Sequence, residues 1–429
     1  MSRIVVLRNV RIPAVAAFAL ALTVLFAAAA AAGTFKGTTS SKDGVTHVIN
    51  PETPMAEPLT LEPEELWRLG GADGDDDEFF GVIMRILVDD DGMLYVLDNQ
   101  LHEVKVYDAD GSFVNILGRE GEGPGEFRNP VDMFFTPDGT IGVMQTAPGR
   151  IVLLTKEGDP AGEYPLPTDE ESGATPFLLG GRLMGDKLAL AAMENQLDEG
   201  KFTQTRYLAR VDDEGNEVAR LHSEARVFDF ANTVIDEEVW DTFDRRWAIG
   251  DDNQLYACTN HADYEVKVWN PKGALSMVIE RPQYPTLDRS QEEIDRIHGI
   301  YEAFTRQVPN AKIVIGNHYK DIQTIAPRSD GSLWVMDSRG MKERPGGSLG
   351  GFDVYNKDGQ FVRRVTLMGD GNPEEDAYFF VKDRLYVVTG FLSAAMAAQG
   401  GGSEETLDEE AEPMAVICYA LDAPDMGSE

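Results

Sequence analysis

The sequence predicts an all-β fold, a six-bladed β-propeller of four-stranded antiparallel blades, on three observations. First, turn pairs rich in Asp and Gly recur at Asp91-Gly92, Asp138-Gly139, Gly185-Asp186, Asp252-Asn253, Asp330-Gly331 and Lys382-Asp383. Such pairs accept the positive φ that two-residue hairpins require. Two positions on stands Leu94, Ile141, Leu188, Leu255, Leu333 or Leu385, and two further on Val96, Val143, Leu190, Ala257, Val335 or Val387. Alternation at period two, in register, marks six equivalent half-buried strands. Second, a further turn series falls between these, at Asp110-Gly111, Glu157-Gly158, Glu214-Gly215, Lys272-Gly273 and Asp358-Gly359. The unit is therefore a meander a-b-c-d, with six a–b turns but only five c–d turns. Third, Glu65-Leu-Trp-Arg-Leu-Gly70 is patterned like the segment after Gly111. It supplies the missing outer strand of blade 6, so the two chain ends close the ring and abolish its open edge.

Taken in order, the chain opens with Arg3, Arg8 and Arg11, then an uncharged apolar run from Ala14 to Ala32 that ends in Ala30-Ala31-Ala32 before Gly33. Residues 1–32 read as an export signal with an Ala-x-Ala cleavage pattern, or as an anchor if uncut. Residues 33–58, rich in Thr, Ser, Gly and Pro, read as a linker, and the propeller is expected over 59–425. Its most distinctive stretch is Gly118 to Pro130, with several glycines, two prolines and Phe127 as its one large apolar anchor. Proline and glycine at that density exclude helix and central strand, leaving a tight crossing between blades. A weaker copy earlier in the chain aligns Leu69-Gly70 with Leu117-Gly118, and Glu78-Phe79 with Glu126-Phe127.

The stretch Gly118-Arg-Glu-Gly-Glu-Gly-Pro-Gly-Glu-Phe-x-x-Pro130, followed by Val131 to Gly139, resembles the joint and inner strand of NHL-repeat propellers. Leu94 to Asp98 with His102 to Tyr107 is a second match. The resemblance implies an exported, six-bladed, NHL-like ring. For activity it implies binding, scaffolding or a few lyase and lactonase reactions, because this fold hosts all of them.

Added length falls at Glu194 to Arg206 and Ala225 to Phe243 in blade 3, Arg281 to Asp321 after blade 4, Ser338 to Gly351 in blade 5, and Gly390 to Pro413 in blade 6. These are b–c loops and d-to-a joints, which leave an up-and-down meander on one face. Long loops gathered on one face of a rigid scaffold mark a binding surface. Within the blade 4 insertion, Ser290-Gln-Glu-Glu293 forms a capping box. Ile294, Ile297, Tyr301, Phe304 and Val308 then follow at helical spacing, predicting an amphipathic helix.

A formal charge of −36 over 429 residues repels nucleic acid and anionic membrane surfaces. Membrane contact is expected only through an uncleaved N-terminal segment. The partner is then an unknown protein or a small polar ligand. The two cysteines, Cys258 and Cys418, sit on strands of non-adjacent blades and read as free thiols. Counted back from the a–b turns, Arg85, Asp132, Leu179, Arg246, Thr324 and Asp376 face the central channel at one level, with Arg85 between Asp132 and Asp376. Paired charges there fit a structural ion-pair ring or a polar-ligand site. On the loop face the candidates are Asp98, His102, His261, His318, Asp337 and Arg339. No histidine pair shows metal-ligand spacing, so no metal site or cofactor is assigned. The acidic clusters Asp73 to Glu78 and Asp89 to Asp91 suggest calcium only loosely, for the first lacks the ligand order of an EF-hand loop. The reading is a non-catalytic binding module, with a lyase or lactonase at the channel mouth and a surface scaffold as alternatives.

Overall fold

The computed structural model describes residues 34–72, 74, 78–168, 175–198, 201–228, 233–241, 243, 246–305, 311–398 and 413–421. The predicted export segment, Val308 and most of the blade 6 insertion lie outside these residues. So does most of the acidic cluster after Ala72.

Six sheets form the ring. Strands a to d are Ile83–Val88, Leu94–Asp98, Glu103–Tyr107 and Phe113–Leu117 in blade 1. In blade 2 they are Pro130–Phe135, Ile141–Gln145, Arg150–Leu154 and Pro160–Glu163. Blade 3 has Phe177–Met184, Lys187–Asp198, Lys201–Val211 and Glu217–Phe228. Blade 4 has Trp247–Ile249, Leu255–Ala257, Glu265–Trp269 and Leu275–Glu280. Blade 5 has Ile322–Pro327, Leu333–Asp337, Ser348–Tyr355 and Phe361–Met368. Blade 6 takes Ala377–Val381, Arg384–Val388 and Ala415–Ala420 from the end of the chain, and Glu65–Gly70 as its outer strand. The predicted closure is thus present, antiparallel from Ala415↔Gly70 to Tyr419↔Glu65. Six clusters of buried apolar side chains lie between successive blades and make up the core.

All eleven predicted turns hold a residue with positive φ, from Lys382 at 53° to Gly158 at 100°. Most are not two-residue hairpins. At Asp89 to Met93 the Gly92 amide donates to the Asp89 carbonyl and the Asp89 amide donates to the Met93 carbonyl, and Asp89 Oδ1 accepts the amides of Asp91 and Met93. This is a type I turn closed by a left-handed glycine, one residue wider than a two-residue loop.

Two expectations are corrected. Residues 33–58 are not a plain tether. Thr38–Lys42 and Val45–Ile49 form a hairpin whose second strand runs parallel to Leu275–Glu280, making blade 4 six-stranded, and Leu59–Leu61 adds in parallel to Phe361–Met368 in blade 5. Asn50 locks the passage between them, donating to the Gly359 carbonyl and accepting from the Phe361 amide. The anchor of the blade 6–1 joint is also Phe80, buried beside Gly70, while Phe79 is 56% exposed. The joint at Gly118 behaves as expected. Phe127 is fully buried in the core between blades 1 and 2 and lies over Gly118 (φ 73°), where a Cβ would stand 2.3 Å from its ring.

The insertions gather on one face. Among the described residues they hold four helices: α1 (Glu237–Trp240), α2 (Gln291–Thr305), α3 (Ser338–Lys342) and α4 (Phe391–Ala398). Sequence reading anticipated only α2. Its cap is present, with the Glu293 amide donating to Ser290 Oγ. Ile294, Ile297 and Tyr301 are half-buried while Asp295, Arg296 and Glu302 are exposed, so the amphipathic stripe holds as far as the side chains are described. The joints flanking blade 4 are tied together by a parallel pair, Val234–Asp236 with Lys312–Val314. Arg289 grips Glu237 through both nitrogens at 2.5 and 2.7 Å, and both side chains are nearly buried.

Candidate functional site

The inner strands do not run straight into the channel. Their pairing with strand b skips one residue near the start of strand a in four blades. Met84 is skipped between Ile83 and Arg85, Val131 between Pro130 and Asp132, Leu179 between Leu178 and Gly180, and Gln323 between Ile322 and Thr324. A β-bulge of this kind bends the strand and re-aims side chains. All four bulged residues, and the residue after each, line a cavity of about 420 Å³ in the central channel.

Five of the six ring positions line this cavity: Arg85, Asp132, Leu179, Thr324 and Asp376. The sixth, Arg246, does not. It is 2% exposed and turned into the insertions, donating to the Asn260 carbonyl at 2.8 Å and to Asp241. Strand a of blade 4 begins only at Trp247, so Trp247, Ala248 and Ile249 face the cavity in its place. Arg182 is the charged lining residue that counting from the turn missed.

The cavity holds four charged side chains. Asp132, nearly buried, accepts from Arg182 Nη1 and from the Gly181 amide at 3.0 Å, and pairs with Arg85 Nε at 3.6 Å. Burial, and Arg182 close by, push the Arg85 guanidinium down to about 9. Asp376 forms no ion pair with Arg85 among the described residues; its carboxylate accepts the amides of Asn372 at 2.6 Å and Gly390 at 2.9 Å, and burial raises its pKa. The rest of the lining includes Met341, Tyr378, Phe380 and Phe391, and Trp247, whose ring lies under the Arg182 guanidinium at 5.4 Å from its centroid. Met341 on α3 and Phe391 on α4 bring the cavity to the insertion-bearing face, while Ile249, Pro327 and Val381, at the ends of their strands by the a–b turns, also line it.

The loop-face candidates do not form one site. Asp98 is fully buried and accepts the amides of Gly81, Val82, Gln100 and Leu101, tying a b–c loop to the preceding joint. His102 is a turn residue at φ 57°. Asp337, also fully buried, caps α3 through the Gly340 amide and pairs with Arg364 at 2.7 Å, and burial beside Asp353 pushes its carboxyl up. Arg339 bonds the Pro285 carbonyl and Glu343. His318 is exposed and pairs with Asp288. Asp89, from the second acidic cluster, accepts turn amides and Lys156 at 2.7 Å.

His261 is different. Its Nδ1 lies 3.0 Å from Asp241 Oδ2, while Asp241 also faces Arg246 and Lys320. Hydrogen bonding from His261 and the cations Lys320 and Arg246 outweigh desolvation and hold the Asp241 carboxyl well below the carboxylate range. His261 Nε2 and Asp321 Oδ1 are buried without a hydrogen-bond partner among the described residues. Burial raises the Asp321 carboxyl to about 6.

Comparison with known proteins agrees with the ring. A family model described as a 6-bladed beta-propeller matches residues 74–230. No match was found among curated proteins. Three solved structures illustrate the resemblance. A Bacteroides fragilis protein described as exported is 13% identical over 85% of this chain and 100% of its own, with a TM-score of 0.47. A Bacteroides vulgatus protein is 10% identical over 84% of this chain and 98% of its own, at 0.46. Virginiamycin B lyase from Staphylococcus aureus is 12% identical over 83% and 99%, at 0.37.

Proposed function

We propose that this chain is an exported, non-catalytic propeller that binds a small polar ligand in its channel cavity, on the face bearing the b–c and d-to-a loops. One observation carries the reading: bulges in four separate blades turn paired side chains toward a single cavity of about 420 Å³. That volume falls within the range of small-molecule sites, and bulges concentrate next to such sites. The basic segment Arg3 to Arg11 and the apolar run Ala14 to Ala32 support export to the periplasm or beyond. The test is thermal unfolding of the full chain against a small-molecule library, repeated for Thr324→Trp and Leu179→Phe, which fill the cavity. Ligands that stabilise the native protein should lose their effect in both variants. Stabilisation that survives both would overturn the reading.

A second reading, a lyase or lactonase, draws on the Asp241–His261 pair, which lies among the insertions and outside the channel cavity. A histidine held through Nδ1 by a carboxylate, with Nε2 left without a partner, is the arrangement of a general base. Turnover of a lactone and ester panel that disappears in His261→Ala would favour the enzyme, as would a stoichiometric divalent ion in the purified protein.

A further inference from the structure

Arg85 is the unusual group in the channel. Among the described residues its guanidinium makes no hydrogen bond, and its Nε is buried without one. Its one ion-pair partner, Asp132, is already engaged by Arg182 and the Gly181 amide. An arginine presents five donors in a planar fork, and leaving them unmatched away from bulk water is costly. The 22% of the side chain that remains accessible lines the cavity. A purely structural ion-pair ring would spend those donors on neighbouring blades.

The charge count and the wall restrict the ligand. Two guanidinium groups against one carboxylate leave one positive charge at the blade 1–3 side. Among the described residues Asp376 forms no ion pair with Arg85 or Arg182, and its oxygens accept the Asn372 and Gly390 amides instead. One added negative charge balances the cluster, whereas a dianion overshoots in a chain that already carries −36. Planar guanidinium and planar carboxylate match as a two-bond pair. From blades 4 and 6, Trp247, Phe380 and Phe391 offer apolar surface to the cavity.

We infer that the channel takes an organic monocarboxylate, with its carboxylate on Arg85 and Arg182 and its apolar body against Trp247, Phe380 and Phe391. The inference rests on the reading of the channel as a ligand site. Calorimetric titration of the full chain with phenylbutyrate, hexanoate and their uncharged amides tests it, with inorganic phosphate as a further probe. At least one carboxylate should bind about tenfold or more tightly than its amide and than phosphate. Arg85→Met should abolish that preference without lowering the unfolding temperature, and Arg85→Lys should recover part of it. Amides binding as tightly as acids, with Thr324→Trp blocking both, would overturn the carboxylate assignment and keep the channel site. Binding of no probe, or binding indifferent to Thr324→Trp, would remove the channel site as well.

Discussion

At Asp132 a single nearly buried carboxylate faces two guanidinium groups, and removing it leaves both in the channel with like charge. Breaking a buried pair from the carboxylate side is strongly destabilising, so Asp132→Ala should cost about 3 kcal/mol in denaturant unfolding. Arg85→Met should be neutral or stabilising, because it removes a buried charge that has no hydrogen bond to lose. Asp321 gives a pH signature. Its carboxyl stands near 6 in the folded chain against an ordinary 3.8, so between those values the folded state binds the proton more tightly. Stability from this group is present at low pH and lost as pH rises through the window. Asp321→Asn should therefore be more stable than the native chain at pH 7, by up to about 3 kcal/mol. The gain should vanish below about pH 4, as urea midpoints across pH would reveal. Asp241 has the opposite sign, stabilising above the carboxylate range and losing that contribution in acid.

Strands and joints differ in how much of them could be read in advance. The outer course of each meander was legible, because an Asp-Gly turn announces itself and alternation at period two reports burial directly. The channel level was legible only in part. Counting back from a turn assumes that all the turns are equally wide. The blade 3 turn is a two-residue hairpin, with Met184 paired to Lys187, one residue tighter than the turn at Asp89 to Met93, so the register slipped by one and Arg182 went unseen. Arg246 was misplaced because the blade 4 strand starts one residue later. The parallel outer strands Val45–Ile49 and Leu59–Leu61 carried no signal, since a strand that joins a sheet from far away has no turn to mark it. Among the ion pairs that hold the insertion joints is the nearly buried Arg289–Glu237 pair. Arg289→Ala should speed amide hydrogen exchange at Gly316, whose amide Glu237 accepts, and along residues 234–236 and 312–314. Exchange in the b and c strands of blade 1 should stay unchanged. Equal acceleration everywhere would mean that these joints do not open separately.

On the scale of the ring, stability depends on a strand from each end of the chain. Removing residues 1–64 strips the outer additions from blades 4 and 5 but keeps Glu65–Gly70 on blade 6. That truncation should fold, with a lower unfolding temperature. Removing residues 1–72 also bares Ala415–Ala420 as an open edge, which invites pairing with other chains. It should lose cooperative unfolding or self-associate in sedimentation velocity. If both truncations melt alike, the closing strand adds little.

The N-terminal segment lies along blade 4, then blade 5, then blade 6, visiting in order the three units that are synthesised last. The strands a ribosome makes first are consequently the last to find partners. Val45–Ile49 must wait for Leu275–Glu280, and Glu65–Gly70 must wait for Ala415–Ala420. Blades 1 to 3 can assemble as they emerge, but the circle stays open until Ala415–Ala420 has been made. A ring built this way stays unclosed until its sixth blade has been made, and until then the early strands remain free to be threaded or unfolded one by one.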